Sequence, residues 1–217
     1  MARPVEDDDA PSRKTAAGGP TLRLRRMLRA LIVAAASAAV FWLLAWTAAA
    51  MLTAPRPTST PTHLLLLDGP ELHAAAADWA RRDPQIRLMS VEKAPSRPMQ
   101  LQVLPTFEEY SRARFAELGV QPDRYEVVPG PVRTPGDLAM RLDSWLDGRS
   151  DAAVVAVCDH FAGRFWRSTF DASMTPRHAE RIQIYAAPRR DFGPTDWWTC
   201  KAGRAEILRQ YLRLFRL

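Results

Sequence analysis

Ala152-Ala-Val-Val-Ala-Val-Cys158 contains no polar or charged side chain apart from its terminal thiol, and its reading decides the fold. A strand that is apolar at every position has no face to offer water, which is what an interior strand of a parallel sheet requires, since helices cover both faces of such a sheet. Working outward, short apolar runs alternate with helical patterns. His63-Leu-Leu-Leu-Leu-Asp68 reads as a first strand, Glu71 to Arg82 as a helix that stops before Pro84, and Ile86 to Val91 and Met99 to Leu104 as two further strands. Phe107 to Leu118 reads as a helix closed by Gly119, and Tyr125 to Val128 as a short strand. Thr134 is a fitting N-cap for a helix that carries Leu138, Leu142, Trp145 and Leu146 on one face and stops at Gly148.

After the apolar run, Phe161, Phe165 and Thr169 share a helical stripe opposite Arg164 and Arg167, and Ile182 to Ala187 forms the last strand. In the final helix the periodicity turns Ile207, Leu208, Tyr211, Leu212 and Phe215 inward and Arg209, Arg213 and Arg216 toward water. Strands alternating with helices predict an α/β domain over residues 63–217, a three-layer sandwich with a mostly parallel sheet.

Ahead of this domain, Ala30 to Leu52 carries no charge and directly follows Arg23, Arg25, Arg26 and Arg29. Twenty-three residues make a helix of about 34 Å, enough to cross a hydrocarbon core of about 30 Å. The other flank offers only Arg56 among prolines and threonines, so the bias of basic residues places the N-terminus in the cytoplasm and everything after residue 53 outside. A cleaved secretory signal has a core of about 7 to 15 apolar residues. This run is longer and carries Phe41, Trp42 and Trp46 in its second half, which favours an uncleaved anchor in the cytoplasmic (inner) membrane. Residues 1–29 read as a disordered cytoplasmic tail ending in the basic run, and residues 53–62, rich in proline, as a spacer that lifts the domain off the membrane.

The 217 residues carry 30 basic and 24 acidic side chains; the first 53 hold seven and four of these, so the domain itself is only mildly basic. Nearly all its positive charge is arginine, whose planar fork suits phosphate and carboxylate groups such as those of envelope lipids and glycans. A domain outside the cell is not expected to meet nucleic acid, and no aromatic-basic motif for it is present. Cys158 and Cys200 permit a disulfide in an oxidising compartment, but each position also suits a small buried thiol. The four histidines, at 63, 73, 160 and 178, make no zinc pattern with them, and no metal or cofactor is implied; G-x-G-x-x-G, Walker and G-x-S-x-G sequences are missing.

Ligands of an open parallel sheet bind beyond the carboxyl ends of its strands. The residues there are Asp68 and Gly69 after the first strand, Arg133 and Thr134 after the Tyr125 strand, Asp159 and His160 after the apolar run, and Pro188 to Asp191 after the last strand. Asp159 and His160, with Arg164 one turn later, group an acid, an imidazole and a guanidinium that could hold a phosphate and move a proton. Equally, Asp159 could cap a helix beside an exposed His160. Thr134 serves as a helix cap or a ligand contact, and the pair Trp197-Trp198 as aromatic packing or a sugar platform.

The layout from about residue 105 resembles the SanA and YdcF group of bacterial envelope proteins, a family described as a domain of unknown function with a Rossmann-like α/β fold. Gly119-Val-Gln-Pro-Asp-Arg-Tyr-Glu126 is similar to the family's turn into a strand with an acidic end, and Arg133-Thr134 with the Leu138 helix is similar to its Asn-Thr and helix. Val154 to Arg164 is similar to its apolar strand running into a His-x-x-Arg helix start. The family's His position holds Phe161 here, with His160 displaced by one, and its Asn position holds Arg133. One residue of displacement at a helix start turns a side chain by about 100°.

The resemblance implies a role in cell-envelope or polysaccharide biogenesis through binding or processing a phosphorylated lipid or glycan precursor. His160 and Asp159 would be the reacting groups, and Asp68, Gly69, Arg133, Thr134 and Arg164 would contact the ligand. The displaced histidine also suits a non-catalytic module that docks a protein of an envelope complex.

Overall fold

The computed structural model describes residues 20–53, 60–67, 69, 71–189 and 191–215. Helix α1 runs over Pro20–Leu52, so the basic run read as the end of the tail is helical. Within α1 the segment Met27–Leu52, 26 residues, is long and apolar enough to cross a membrane, and at about 1.5 Å per residue it measures about 39 Å. The tail before Pro20 and most of the spacer, residues 54–59, lie outside the described residues.

From Ala45 onward the chain forms one unit. Its sheet comprises β1 (His63–Leu66), β2 (Arg87–Lys93), β3 (Tyr125–Val132), β4 (Val154–Asp159) and β5 (Ile182–Ala187). All neighbours pair in parallel, in the order β3-β2-β1-β4-β5. Alternate side chains of each strand serve opposite layers. Leu64, Leu66, Leu88, Val155 and Val157 pack against α2 (Leu72–Arg82) and Phe115 of α4 (Phe107–Glu117). Leu65, Met89, Ala156, Cys158 and Ile184 pack against α5 (Pro135–Asp147) and α6 (Gly163–Ser173). The result is the three-layer α/β sandwich, with the run around Val154 to Cys158 buried on both faces.

β3 is longer than its apolar residues suggest, continuing through Pro129, Gly130 and Pro131. It is an edge strand, where a missing amide leaves no partner unpaired. Met99 to Leu104 is not a strand. Arg97–Gln100 is a short helix, α3, with Pro98 in its first turn, and Leu101, Val103 and Leu104 stand 53–71% exposed in the loop that follows. The segment alternates apolar residues with Gln100 and Gln102 as a strand would, but Pro98 falls in the first turn of α3, where proline suits a helix start.

α7 (Pro176–Ala179) leads into β5, and α8 (Lys201–Leu214) closes the chain. Cys158 and Cys200 are both free thiols, and the Cys200 sulfur accepts the Gly203 amide at 3.2 Å, capping α8. The inward face of α8 differs from the periodicity. Ile207 is buried and Tyr211 half-buried, but Gly203, Glu206 and Gln210 are also buried, while Leu208, Leu212 and Phe215 are exposed. The helix is turned because Glu206 has cationic partners inside, described below, and a buried carboxylate without them would be very costly.

The end of α1 belongs to the same unit. Ala49 and Leu52 are fully buried among Phe161, Phe192 and Ile207, and the Tyr211 hydroxyl donates to the Ala48 carbonyl at 3.0 Å. At Gly203 a Cβ would stand 2.2 Å from the Trp197 carbonyl oxygen, whereas at Gly148 it would meet nothing within 4 Å. Gly203→Ala should therefore lower the unfolding free energy of the detergent-solubilised chain in urea by about 1–3 kcal/mol, and Gly148→Ala should leave it close to wild type.

Candidate functional site

The strand order turns around β1, with β2 on one side of it and β4 on the other, so the crevice for a ligand is expected at the carboxyl ends of these strands. Among the described residues a cleft that reaches the strand ends opens in each helical layer, and a further one of about 570 Å³ lies outside α2 and α4, reaching Pro188 and Asp191.

The smaller, about 260 Å³, lies on the α2 side; Gly69, Glu71, Leu72, Asp159, Pro188 and Arg189 are among its lining residues. Gly69 has φ +78° in the β1–α2 turn, a conformation that glycine adopts without strain. Asp159 ends β4; its carboxylate accepts the Phe161 amide at 3.4 Å and meets the Arg189 guanidinium at 3.1 Å. Arg189 also lies 3.8 Å from Glu206 and stacks 4.8 Å from the Phe192 ring centroid. Glu206 is held further by Arg209 and by Gln210, whose amide donates at 2.6 Å. Asp159 is thus half of an arginine-bridged pair of carboxylates. Burial raises its pKa above the usual carboxylate value, against the pull of Arg189 and the Phe161 amide.

His160 does not join Asp159 in a hydrogen bond. Both of its ring nitrogens are buried and neither is hydrogen-bonded to a carboxylate among the described residues, and its ring meets Phe161 edge-on, 4.9 Å between centroids. Burial holds its pKa below the ordinary 6.5, with the Asp159 charge and the Ala186 backbone opposing. An imidazole in this setting is neutral and packed, and no acid–base dyad forms.

Arg164 departs from the expected grouping. It is exposed, and its guanidinium reaches the Met51 carbonyl at 3.5 Å, so it attends the end of α1 instead of the strand ends. The helix starts at Gly163, four residues beyond Asp159, and this offset turns Arg164 away. Asp68, the other acid expected here, lies outside the described residues.

The larger cleft, about 540 Å³, lies on the α5–α6 side. Leu67, Lys93 and Val132 bring the ends of β1, β2 and β3 to it; Arg133 to Gly136 supply the start of α5, Phe165 and Trp166 come from α6, and Arg213 from α8. Among the described residues its lining includes three cations, Lys93, Arg133 and Arg213. The Lys93 ammonium lies 3.4 Å from the Leu67 carbonyl and 4.1 Å from the Phe107 centroid, and Arg213 lies over Phe165 at 5.7 Å. Thr134 is first a helix cap: its hydroxyl accepts the Asp137 amide at 3.1 Å, while Asp137 accepts the Thr134 and Arg133 amides. These amide bonds hold the Asp137 carboxyl below its usual range. The Trp166 indole N–H is buried without a partner among the described residues.

The sequence therefore identified Gly69, Asp159, Arg133 and Thr134 as strand-end residues, which line the two clefts. Arg189, within the Pro188 to Asp191 stretch expected after the last strand, lines the smaller cleft as well. The sequence missed Lys93, Trp166 and Arg213; Lys93 sits directly at the end of β2 and could have been found by extending the same strand-end rule, whereas Arg213, on α8, could not. His73, with its Nε2 3.0 Å from Ser111, is a buried structural residue, and Trp197-Trp198 form edge-on packing beside the end of α1.

Compared with known proteins, the chain matches no family model, no curated protein and no solved structure.

His63, like His160, has its pKa lowered by burial, against the pull of Glu126. For both imidazoles the unfolded chain binds protons first, so the stability they contribute is complete above about pH 6.5 and declines as the pH falls through their depressed native values. The raised pKa of Asp159 acts in the opposite sense, favouring the native state as the pH falls. The melting temperature of the full-length chain is expected to drop between pH 7 and 5, and His160→Asn should make that drop smaller, the remainder belonging to His63.

Proposed function

We propose that this chain is a membrane-anchored protein of the bacterial cell envelope that binds the phosphate of a phosphorylated lipid or glycan precursor in its larger strand-end cleft, in the service of envelope or polysaccharide biogenesis. In this reading α1 crosses the inner membrane with its N-terminus in the cytoplasm, following the basic bias ahead of the span, and the α/β unit lies outside. The kinship with the SanA and YdcF group read from the motifs is part of the same proposal.

The observation that supports the reading is the lining of that cleft, to which Lys93, Arg133 and Arg213 all contribute among the described residues. Cations gathered at the carboxyl edge of a parallel sheet suit a polyanion, and guanidinium forks match phosphate oxygens two at a time. Binding is favoured over processing. Asp159 is bridged by Arg189 to Glu206, and His160 makes no bond to an acid that could orient it.

A second reading, a non-catalytic module that docks another envelope protein, is favoured by one feature, the exposed Leu101, Val103 and Leu104 after α3. The two readings separate in one experiment, native mass spectrometry of the gently extracted full-length chain with phosphorus analysis of whatever remains bound. A charge-assisted hydrogen bond contributes about 1.5–3 kcal/mol, so Arg213→Gln and Lys93→Gln should each lower the occupancy of a bound phosphorylated molecule about tenfold or more. Arg164→Gln, remote from the cleft, should leave it unchanged. A wild-type chain free of phosphorus, or equal occupancy in all variants, would reject the binding reading and leave the docking module.

A further inference from the structure

α8 buries its polar residues and exposes its apolar ones. Glu206 and Gln210 are 6% and 2% exposed, whereas Leu208, Leu212 and Phe215 are 61%, 47% and 84% exposed. The exposed three recur at i, i+4 and i+7, so they form one stripe on the helix. Such a stripe on a unit that lies wholly in water would be an unfavourable surface.

The stripe has a defined neighbour. About 100° round the helix from Leu208 and Leu212 lie Ile207 and Tyr211, and these are the residues that meet the end of α1. Ile207 packs with Ala49 and Leu52, and the Tyr211 hydroxyl donates to the Ala48 carbonyl at 3.0 Å. Residues 48–52 are also the closing residues of the segment long and apolar enough to cross a membrane. The apolar stripe therefore adjoins, on the same helix, the face that packs against the last residues of that segment. Charge is distributed to match: the N-terminal part of the same stripe carries Lys201 and Arg204, both exposed, and Arg209 and Arg213 flank the apolar part. An amphipathic helix with basic flanks is suited to the boundary between anionic headgroups and acyl chains.

We propose that α8 is an interfacial helix, with Leu208, Leu212 and Phe215 immersed in the outer boundary of the bilayer that α1 crosses, so that the unit rests on the membrane instead of standing off it. Arg213 joins this helix to the larger cleft, which then opens beside the lipid surface. The inference rests on α1 spanning a membrane and is independent of what the cleft binds.

The test uses the full-length chain in nanodiscs of phosphatidylcholine and phosphatidylglycerol, on a Cys200→Ser background that keeps an oxygen-bearing cap for α8 and leaves buried Cys158 unlabelled. Nitroxide labels are placed at Leu212→Cys in α8, at Val40→Cys in α1 and at Gln121→Cys, an exposed position ahead of β3 at the other edge of the sheet. The readout is the ratio of collisions with oxygen to collisions with a water-soluble nickel chelate. The ratio at Leu212 is expected to exceed that at Gln121 at least fivefold and to approach that at Val40. A ratio at Leu212 equal to that at Gln121, with Val40 still shielded, would overturn the interfacial helix while leaving the anchor intact. A water-exposed Val40 would overturn both.

Discussion

An all-parallel sheet has no face that can be left in water. Each crossover from one strand to the next must carry a helix back along the sheet, and helices on both faces leave the strands apolar at nearly every position. In this protein that constraint fixes the alternation of Leu64 and Leu66 into one layer and Leu65 into the other, and the same alternation runs through β4. It also decides where chemistry can lie. With both faces covered, the unsatisfied ends of the structure are the strand ends, and the turn in strand order around β1 opens them into clefts.

The two clefts differ in electrostatic character because of one buried carboxylate. Glu206 faces inward from α8, collects Arg189 and Arg209, and through Arg189 is joined to Asp159. In the smaller cleft Asp159 and Arg189 meet each other, with Glu71 also in the lining. The larger cleft, about 540 Å³, gathers Lys93, Arg133 and Arg213 in its described lining.

Glu206 has a second effect. Turning it inward rotates the rest of α8, which brings Gln210 into the interior and puts Leu208, Leu212 and Phe215 outside. The helix that completes the core thus presents an apolar stripe next to the end of α1, and Arg164, directed at the Met51 carbonyl, helps to hold that end. The last residues of α1 are packed into the unit through Ala49 and Leu52.

The sequence by itself determined the fold class, the membrane-length helix, most element positions and the capping of α5 by Thr134, because each is written in local composition: an apolar run buried on both faces, an uncharged stretch of sufficient length, a hydroxyl three residues ahead of an acid. Gly69, Asp159, Arg133 and Thr134 could be placed at the strand ends for the same reason, since topology follows from the order of elements. Only the tertiary structure decided the rest. Met99 to Leu104 alternates like a strand, but it begins within the short helix α3 and continues as an exposed loop. Arg164 lies close to Asp159 in the chain, yet the start of α6 turns it toward α1. The inward face of α8 followed the partners of one glutamate and not the helix's own periodicity, because the cost of an unpaired buried charge exceeds the gain from burying another leucine.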